Sequence, residues 1–250
     1  MSEANPINIP ADPHTYLESP SNHEECNVPY REAVGSLLFL SMISRPDIAF
    51  AVSVASRYLN NYNNAHWNAV KRVFRYIKGT KDLGILFRHE GNGKLIGFSD
   101  ADYAGDRDTR RSTSGYVFTL NEGCVTWSSK RQASVSLSTT EAEFIAASEA
   151  TKEAIWLRKL LADLGHKRIE PAVLYIDNQS AIKLSRNPEF HRRSKHIDVR
   201  HQFLCEKQRN GEIDTKYVKS AEQIADALTK PLCYEKFITH RSKILTISKM

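Results

Sequence analysis

The sequence predicts a mixed α/β sheet flanked by helices and preceded by a small helical segment. Three observations predict it. The period of the apolar residues is helical from Pro29 to about Thr80. After Gly79 it changes to short runs rich in β-branched and aromatic residues, separated by Gly, Asn and Asp. From Leu95 to Lys230 the inferred order is then three strands, helix, strand, helices, strand, helix.

Each element follows from its residues. Met1 to Tyr30 contains no Lys or Arg and carries Pro6, Pro10, Pro13, Pro20 and Pro29, which predicts an extended or disordered lead-in. It lacks the charged start and apolar run of a signal peptide. Pro46 suits the first turn of a helix over "DIAFAVSVASRYL". In "AHWNAVKRVFRYIKG", Trp67, Val70, Val73, Phe74 and Ile77 share one stripe, with Lys71, Arg72, Arg75 and Lys78 around the other side. Those cations read as a solvated face or as a nucleic-acid contact.

"LGILFRH", "KLIGFSDA", "TSGYVFTL" and "CVTWSSK" read as consecutive antiparallel strands. "LSTTEAEFIAASEATKEAIWLRKLLADLG" reads as a long helix stopped at Gly165, and "AVLYID" as a buried strand. One helix begins near Ser180 and a second runs from about Ser194 to Arg209. "IDTKYV" is the last strand, and "AEQIADALTK" a final helix ended by Pro231. The expected divisions are 1–28 as lead-in, 29–90 as helical segment, 91–232 as the sheet domain and 233–250 as a helical tail.

Composition narrows the function classes. Of 250 residues, 41% are hydrophobic and 26% charged, which suits a folded chain with a sizeable core. Arg45, Pro46 and Asp47 break the longest apolar stretch, so no membrane span is expected. Cys26, Cys124, Cys205 and Cys233 have neither metal-ligand nor redox spacing and are expected as free thiols. A net charge of +6 suits a polyanionic partner.

Against that positive charge stand carboxylates at the ends of elements. Asp100 ends the first strand of the domain, Glu143 lies in the first turns of the long helix, Asp177 ends the fourth strand and Asp226 sits in the last helix. Neighbouring strands can bring Asp100 and Asp177 together. Converging acids repel and resist burial unless a cation offsets them, and hard oxygen donors select Mg²⁺ or Mn²⁺ over zinc. Taken singly, each acid is better explained as structural, by turn chemistry or the helix dipole.

Local logic separates the candidates. Ser138 and Glu141 form S-x-x-E, a capping box in which Glu141 reaches back to the Ser138 backbone. Glu143 has no such duty and shares a stripe with Ala147, Ala150 and Ala154, whose small side chains allow close packing on a sheet. Ser220 with Gln223 repeats the capping pattern ahead of Asp226. Strand alternation puts Asp102 on the face of Asp100, beside the metal ligands, while Asp106 reads as a turn residue.

These residues carry a resemblance. "YREAVGSLLFL", "RPDIAFAVS", "HWNAVKRVFRYIKGT", "SDADYAGD", "RRSTSGYVF", "SKRQASVSLSTTEAEFIAAS", "EAIWLRKLL", "DNQSAI", "RSKHIDVRHQFL" and "ADALTKPL" together resemble the C-terminal part of the Pol polyprotein of copia-type LTR retrotransposons. The likeness runs from about Pro29 to Leu232, with the end of the reverse transcriptase followed by a ribonuclease H domain. It implies an RNase H-like mixed sheet and endonucleolytic cleavage of the RNA strand of an RNA:DNA hybrid. It also implies two Mg²⁺ ions, or Mn²⁺, with Asp100, Glu143, Asp177 and Asp226 as catalytic ligands. Asp100 would bridge both ions, Glu143 and Asp177 would hold one and Asp226 the other.

The implied setting is intracellular, in a cytoplasmic virus-like particle or the nucleus, with the rest of the reverse transcriptase as a partner. Two departures stand out. "YVKSAEQIAD" lacks the histidine-bearing loop of many cellular RNases H, and no adjacent aspartate pair exists to supply the polymerase's own metal ligands, so polymerase activity is not expected. His196 and His201 are expected to be structural or to contact RNA.

Substrate contacts are expected from Arg107, Arg110 and Arg111, from Lys130 and Arg131, and from Arg192, Arg193 and Lys195. Asn178 and Gln179 follow Asp177 and suit ribose hydroxyls, with Ser112, Thr113 and Ser138 as weaker candidates. Trp127 and Trp156 fit core positions. The competing reading is a catalytically silent retroelement fragment that binds nucleic acid or a protein partner. An integrase-like activity on the same fold is a third, disfavoured by a glutamate placed on the helix after three strands.

Overall fold

The structure is a computed structural model describing residues 3–20, 26–89, 91, 93–166, 170–186 and 195–247; for 195–199, 201 and 247 this holds for the backbone alone. The first helices are α1 (Tyr30–Ile43), α2 (Ala49–Ser56) and α3 (Asn64–Gly79), with a 3-10 turn at Pro46–Ile48. Each buries one stripe. Tyr30, Val34 and Leu37 of α1 meet Val52 and Ala55 of α2 and Val70, Val73 and Tyr76 of α3. The core of this block also includes Ala227, Leu232 and Phe237 from the other end of the chain. Burial of side chains of this size contributes roughly 1.5–3 kcal/mol each, so the two ends of the chain stabilise one another.

Local chemistry sets the boundaries. Asn63 caps α3, its Oδ1 accepting from the Ala65 and His66 backbone N–H groups at 3.1 and 3.4 Å. Arg45 forks onto buried Asp47 at 2.9 and 2.8 Å, and the Tyr76 hydroxyl donates to the same carboxylate at 2.6 Å. No helix among the described residues is long and apolar enough to cross a membrane. The four cysteines are free thiols.

The main sheet is built from β2 (Leu95–Asp102), β3 (Thr113–Leu120), β4 (Gly123–Arg131), β5 (Ala172–Ile176) and β6 (Ile213–Tyr217), in the order β4-β3-β2-β5-β6. The first three strands are antiparallel, and β5 and β6 run parallel to β2. This is the RNase H-like mixed sheet expected. Helix α4 (Thr139–Asp163) lays Ala147, Ala150 and Ala154 against Leu95, Phe118 and Leu174, and α5 (Gln179–Arg186) and α6 (Lys195–Arg209) extend that layer. Gly165 ends α4 at φ +88°. On the opposite face Ile224 and Leu228 pack with Val117 and Cys124, followed by α7 (Tyr234–Arg241).

Four expectations need correction. "LGILFRH" does not join the main sheet. Only β1 (Leu83–Gly84) is a strand, paired with β7 (Thr246–Ile247), because Leu86 and Phe87 cross over the β3–β4 turn at Gly123. The final helix is a 3-10 turn, Ile224–Leu228, since the buried Gln223 side chain fixes its start and Pro231 its end. Gln223 itself accepts from Ala225 N–H, so Ser220 does not cap this turn. At α4, Ser138 accepts from Glu141 N–H as expected, yet Glu141 reaches back to Leu137 N–H at 2.9 Å, one residue earlier than the capping box predicts.

The lead-in residues 3–20 have no helix or strand, and they lie along the cationic side of α3. Lys78 donates to Ala4 O at 2.9 Å, Arg75 to Asn5 O at 2.7 Å, and Arg72 pairs with Asp12 at 3.2 Å. Farther along, Tyr58 donates to Leu17 O, and Ser19 N–H donates to Asp108 in the β2–β3 loop. Three of the four α3 cations therefore hold the chain's own segment.

Asp106 of the same loop is buried and ties three elements together. It accepts from Arg57 just past the end of α2 at 2.9 Å, from Arg131 of β4 at 2.8 Å, and from Thr109 N–H and Oγ1 at 2.8 and 2.7 Å. Burial works to raise its pKa, but these donors outweigh it and hold the carboxyl down at about 2. Its stabilisation is present above the ordinary value of 3.8 and is lost as pH falls through about 2. Asp106→Ala leaves two guanidinium groups without their carboxylate and should cost about 3 kcal/mol in urea unfolding at pH 7. The gap to the parent should narrow between pH 4 and 2 (about the window set by those two values).

Candidate metal centre

Parallel pairing assembles the centre. Phe98 of β2 is level with Tyr175 of β5, so two residues later Asp100 is level with Asp177, just beyond the end of β5. Antiparallel pairing sets Asp100 opposite Gly115. A Cβ on Gly115 would stand 2.7 Å from Thr229 Cγ2 and 2.8 Å from Leu228 Cβ, so the 3-10 turn reaches the sheet here only because position 115 has no side chain. From the other face, the alanine stripe lets α4 approach closely. Glu143 then lies at the same sheet end, its Oε1 accepting from Ala101 N–H at 3.3 Å.

Asp100, Glu143 and Asp177 each bring one carboxylate oxygen into a group whose members lie within 4.8 Å of one another. Asp100 is 1% and Glu143 6% exposed, while Asp177 is half-buried. Neighbours orient each of them. Thr229 Oγ1 donates to Asp100 Oδ2, and Ser220 Oγ donates to Asp177 Oδ2 at 2.8 Å. Glu143 Oε2 is buried with no hydrogen-bond partner among the described residues.

The charges are correspondingly strained. Burial first, then Asp100 and Asp177, push the Glu143 carboxyl up to about 10. Burial, with Asp226 and Asp177, raises Asp100 to about 7, against the opposing pull of Lys230 and Thr229. An oxygen-only donor set with an unpartnered buried carboxylate oxygen fits a hard divalent cation such as Mg²⁺ or Mn²⁺.

The fourth expected acid does not join this trio. Asp226 is 1% exposed, with Lys230 Nζ 2.7 Å from Oδ1 and Lys236 Nζ on Oδ2. Burial opposes its ionisation, but the two ammonium groups prevail and hold its pKa below the ordinary carboxylate value. Lys230 also lies 3.5 Å from Asp100 Oδ2. Asp102 is half-buried against Gly105, and burial raises its pKa, opposed by Lys230.

The expected substrate residues divide by what already engages them. Arg107 stacks on Tyr16 with 3.6 Å to the ring centroid and pairs with Glu18 at 3.2 Å. Arg131 is held by Asp106. Arg110 is exposed at φ +55°, and Arg111 and Lys130 line a cleft of about 400 Å³ beside Gln132. Asn178 Oδ1 accepts from Ala181 N–H at 3.0 Å at the start of α5, while Gln179 is exposed. Arg192 and Arg193 lie outside the described residues, as do the side chains of Lys195, His196 and His201.

Ser112 and Thr113 are buried and engaged, Ser112 Oγ accepting from Ala104 N–H and Thr113 Oγ1 from Arg57. Trp127 is partly buried and donates to Ser41 O at 2.7 Å. Trp156 corrects the core expectation: it is 55% exposed, because it sits about 200° around α4 from buried Ala154. Sequence reasoning missed Gly115, Ser220 as a partner of Asp177, Thr229, Lys230 and Lys236. Only Lys230 carried a local signal, as the residue four beyond Asp226.

No protein-family model matches the chain. It is 44% identical over 245 residues to the retrovirus-related Pol polyprotein from transposon TNT 1-94 of Nicotiana tabacum, covering 95% of this chain and 18% of that protein. Over 131 residues it is 53% identical to secreted RxLR effector protein 161 of Plasmopara viticola, covering 52% of this chain and 92% of that protein. Among solved structures, an RNase H1 isolated from compost by a metagenomic approach overlaps 55% of this chain and 93% of its own, with 16% identity and a TM-score of 0.43. Strand order and register, rather than that loose overlap, define the fold.

Glu143→Gln replaces a strained acid by a neutral amide of equal shape. In EDTA at pH 7 it should raise the melting temperature by several degrees. Because burial raises the folded carboxyl from its ordinary value of 4.5 to about 10, the contribution of this one group is most favourable below 4.5 and is lost as pH rises towards 10. The difference between the two proteins should therefore shrink on acidification; a constant difference from pH 4 to 9 (about the accessible range) would contradict this origin.

Proposed function

We propose that this chain, which belongs to the family of Pol polyproteins of copia-type transposons, is a ribonuclease H that cuts the RNA strand of RNA:DNA hybrids. It spans less than a fifth of the tobacco polyprotein's length, and only this portion of the activity is assigned to it. The observation that carries the reading is the convergence of Asp100, Glu143 and Asp177 within 4.8 Å at the end of the sheet.

Asp100, Glu143 and Asp177 would hold Mg²⁺ or Mn²⁺. A divalent ion there supplies Lewis-acid stabilisation of charge on the scissile phosphate and makes the attacking water more acidic. The protein's own groups do the positioning. Thr229 and Ser220 fix the Asp100 and Asp177 carboxylates, and Ala101 N–H fixes Glu143 through Oε1, leaving Oε2 without a hydrogen-bond partner among the described residues. Arg110, Arg111 and Lys130 offer cations to the hybrid's phosphates, and Gln179 is exposed beside Asp177 to meet a ribose hydroxyl. The setting is intracellular, in a cytoplasmic particle or the nucleus, with the remainder of Pol as partner; polymerase activity is not assigned.

One observation favours a second reading. A protein matched over 92% of its length by this chain is named an effector and not a polyprotein, so the same residues could serve as a catalytically silent binding module.

One substitution separates the readings. Asp100→Asn should reduce Mg²⁺-dependent cleavage of a labelled RNA:DNA hybrid by at least about 10²-fold, in line with loss of a group essential to phosphate chemistry. Hybrid affinity and far-UV circular dichroism should stay at parental values. Undiminished cutting by Asp100→Asn would overturn the assignment, and hybrid binding by the parent with no cutting in Mg²⁺ or Mn²⁺ would favour the binding module.

A further inference from the structure

The four buried or half-buried acids do not form one group: three converge on each other, and the fourth converges on two lysines. Lys230 sits where these sets meet. Its ammonium is 2.7 Å from Asp226 Oδ1 and 3.5 Å from Asp100 Oδ2, while Lys236 takes the other Asp226 oxygen. Both carboxylates of Asp226 and Asp100 are 1% exposed. A cation shared by Asp100 Oδ2 and Asp226 Oδ1 would compete for the place that the Lys230 ammonium takes.

Lys230 reaches this place from the surface. Its side chain is 34% exposed, and it follows Thr229, whose hydroxyl donates to the same Asp100 oxygen that faces the ammonium. The two residues that follow the 3-10 turn thus both face Asp100 Oδ2, and the close approach of Leu228 and Thr229 over Gly115 holds them there. Glu143 Oε2 and Asp226 Oδ1 are both buried without a hydrogen-bond partner among the described residues, but of the two Asp226 Oδ1 has an ammonium beside it, Lys230 Nζ at 2.7 Å, so the unmet demand for positive charge is greater at Glu143.

We propose that Lys230 is a built-in counter-ion that keeps Asp226 out of metal coordination, so that the centre takes one divalent ion, on Asp100, Glu143 and Asp177, instead of the two that the family resemblance implies. The proposal rests on the metal-centre reading given under the proposed function. It makes Lys230 a positioning residue that acts through Asp226 and Asp100. Lys236 caps the outer oxygen of Asp226 and does not lie between the two acids.

The number of ions bound is the readout. Mn²⁺ alone, titrated into the full chain and followed by calorimetry and by electron paramagnetic resonance of free Mn²⁺, should bind with a stoichiometry of one. Lys230→Met frees the space between Asp100 and Asp226 and should raise the stoichiometry to two, with the dipolar broadening of a coupled Mn²⁺ pair; Lys236→Met should stay at one. Two ions on the parent protein, or one on a folded Lys230→Met, would overturn the proposal. Should Lys230→Met fail to fold by circular dichroism, the parent stoichiometry decides alone. Binding of no Mn²⁺ by the parent would overturn the metal-centre reading itself, an outcome distinct from a count of two.

Discussion

The parallel pairing of β2 with β5 is the constraint on which the rest of the structure depends. It is the point where an antiparallel meander becomes a parallel sheet, and its register decides which side chains stand together at the strand ends. With Phe98 beside Tyr175, Asp100 and Asp177 emerge level. A slip of one residue would send either acid to the opposite face of the sheet. The stacked Phe98 and Tyr175 rings, with centroids 5.0 Å apart, help to hold that register from the side. Helix α4 and the 3-10 turn can then bring further groups only because their contact surfaces are small, alanine in one case and Gly115 opposite the other.

Two solutions to the same electrostatic problem lie side by side. Buried carboxylates are costly unless charge or hydrogen bonds offset them. At Asp226 the offset is internal, from Lys230 and Lys236, and at Asp106 it comes from Arg57 and Arg131. At Glu143 it is incomplete: Oε1 accepts from Ala101 N–H, Oε2 has no hydrogen-bond partner among the described residues, and burial pushes the carboxyl up to about 10. Strain greatest at Glu143 and shared by neighbouring Asp100, in a protein that neutralises other acids by ion pairs, marks the place where a ligand from outside is needed.

Much of this was legible in the sequence where the signal was local. The strand runs, the alanine stripe below Glu143 and the stop at Gly165 each follow from a few neighbouring residues, and the structure repeats them. What was not legible depends on distant partners. "LGILFRH" has the pattern of a strand, but its neighbour is β7 and its path is set by the turn at Gly123. "AEQIADALTK" has helical periodicity, yet buried Gln223 reaches across to Ser99 and leaves room for little more than one turn. Trp156 looked like core because it lies in an apolar stretch; the stripe on α4 faces elsewhere. The capture of Asp226 by Lys236, ten residues on, follows from the turn into α7 and has no counterpart in spacing rules.

The short β1–β7 pair has a consequence for how the chain reaches its native state. It joins Leu83 to Ile247, and the helical core likewise waits for Ala227, Leu232 and Phe237. Contacts so distant along the chain form late, because closing a long loop forfeits chain entropy before any contact offsets it. During synthesis, α1 to α3 would emerge long before the segments that cover them, with Phe39, Met42 and Ile43 of α1 still exposed even at the end. Folding of this block therefore waits for residues far along the chain, and its incomplete form is the stage at which a chaperone, or misassociation with another chain, would act.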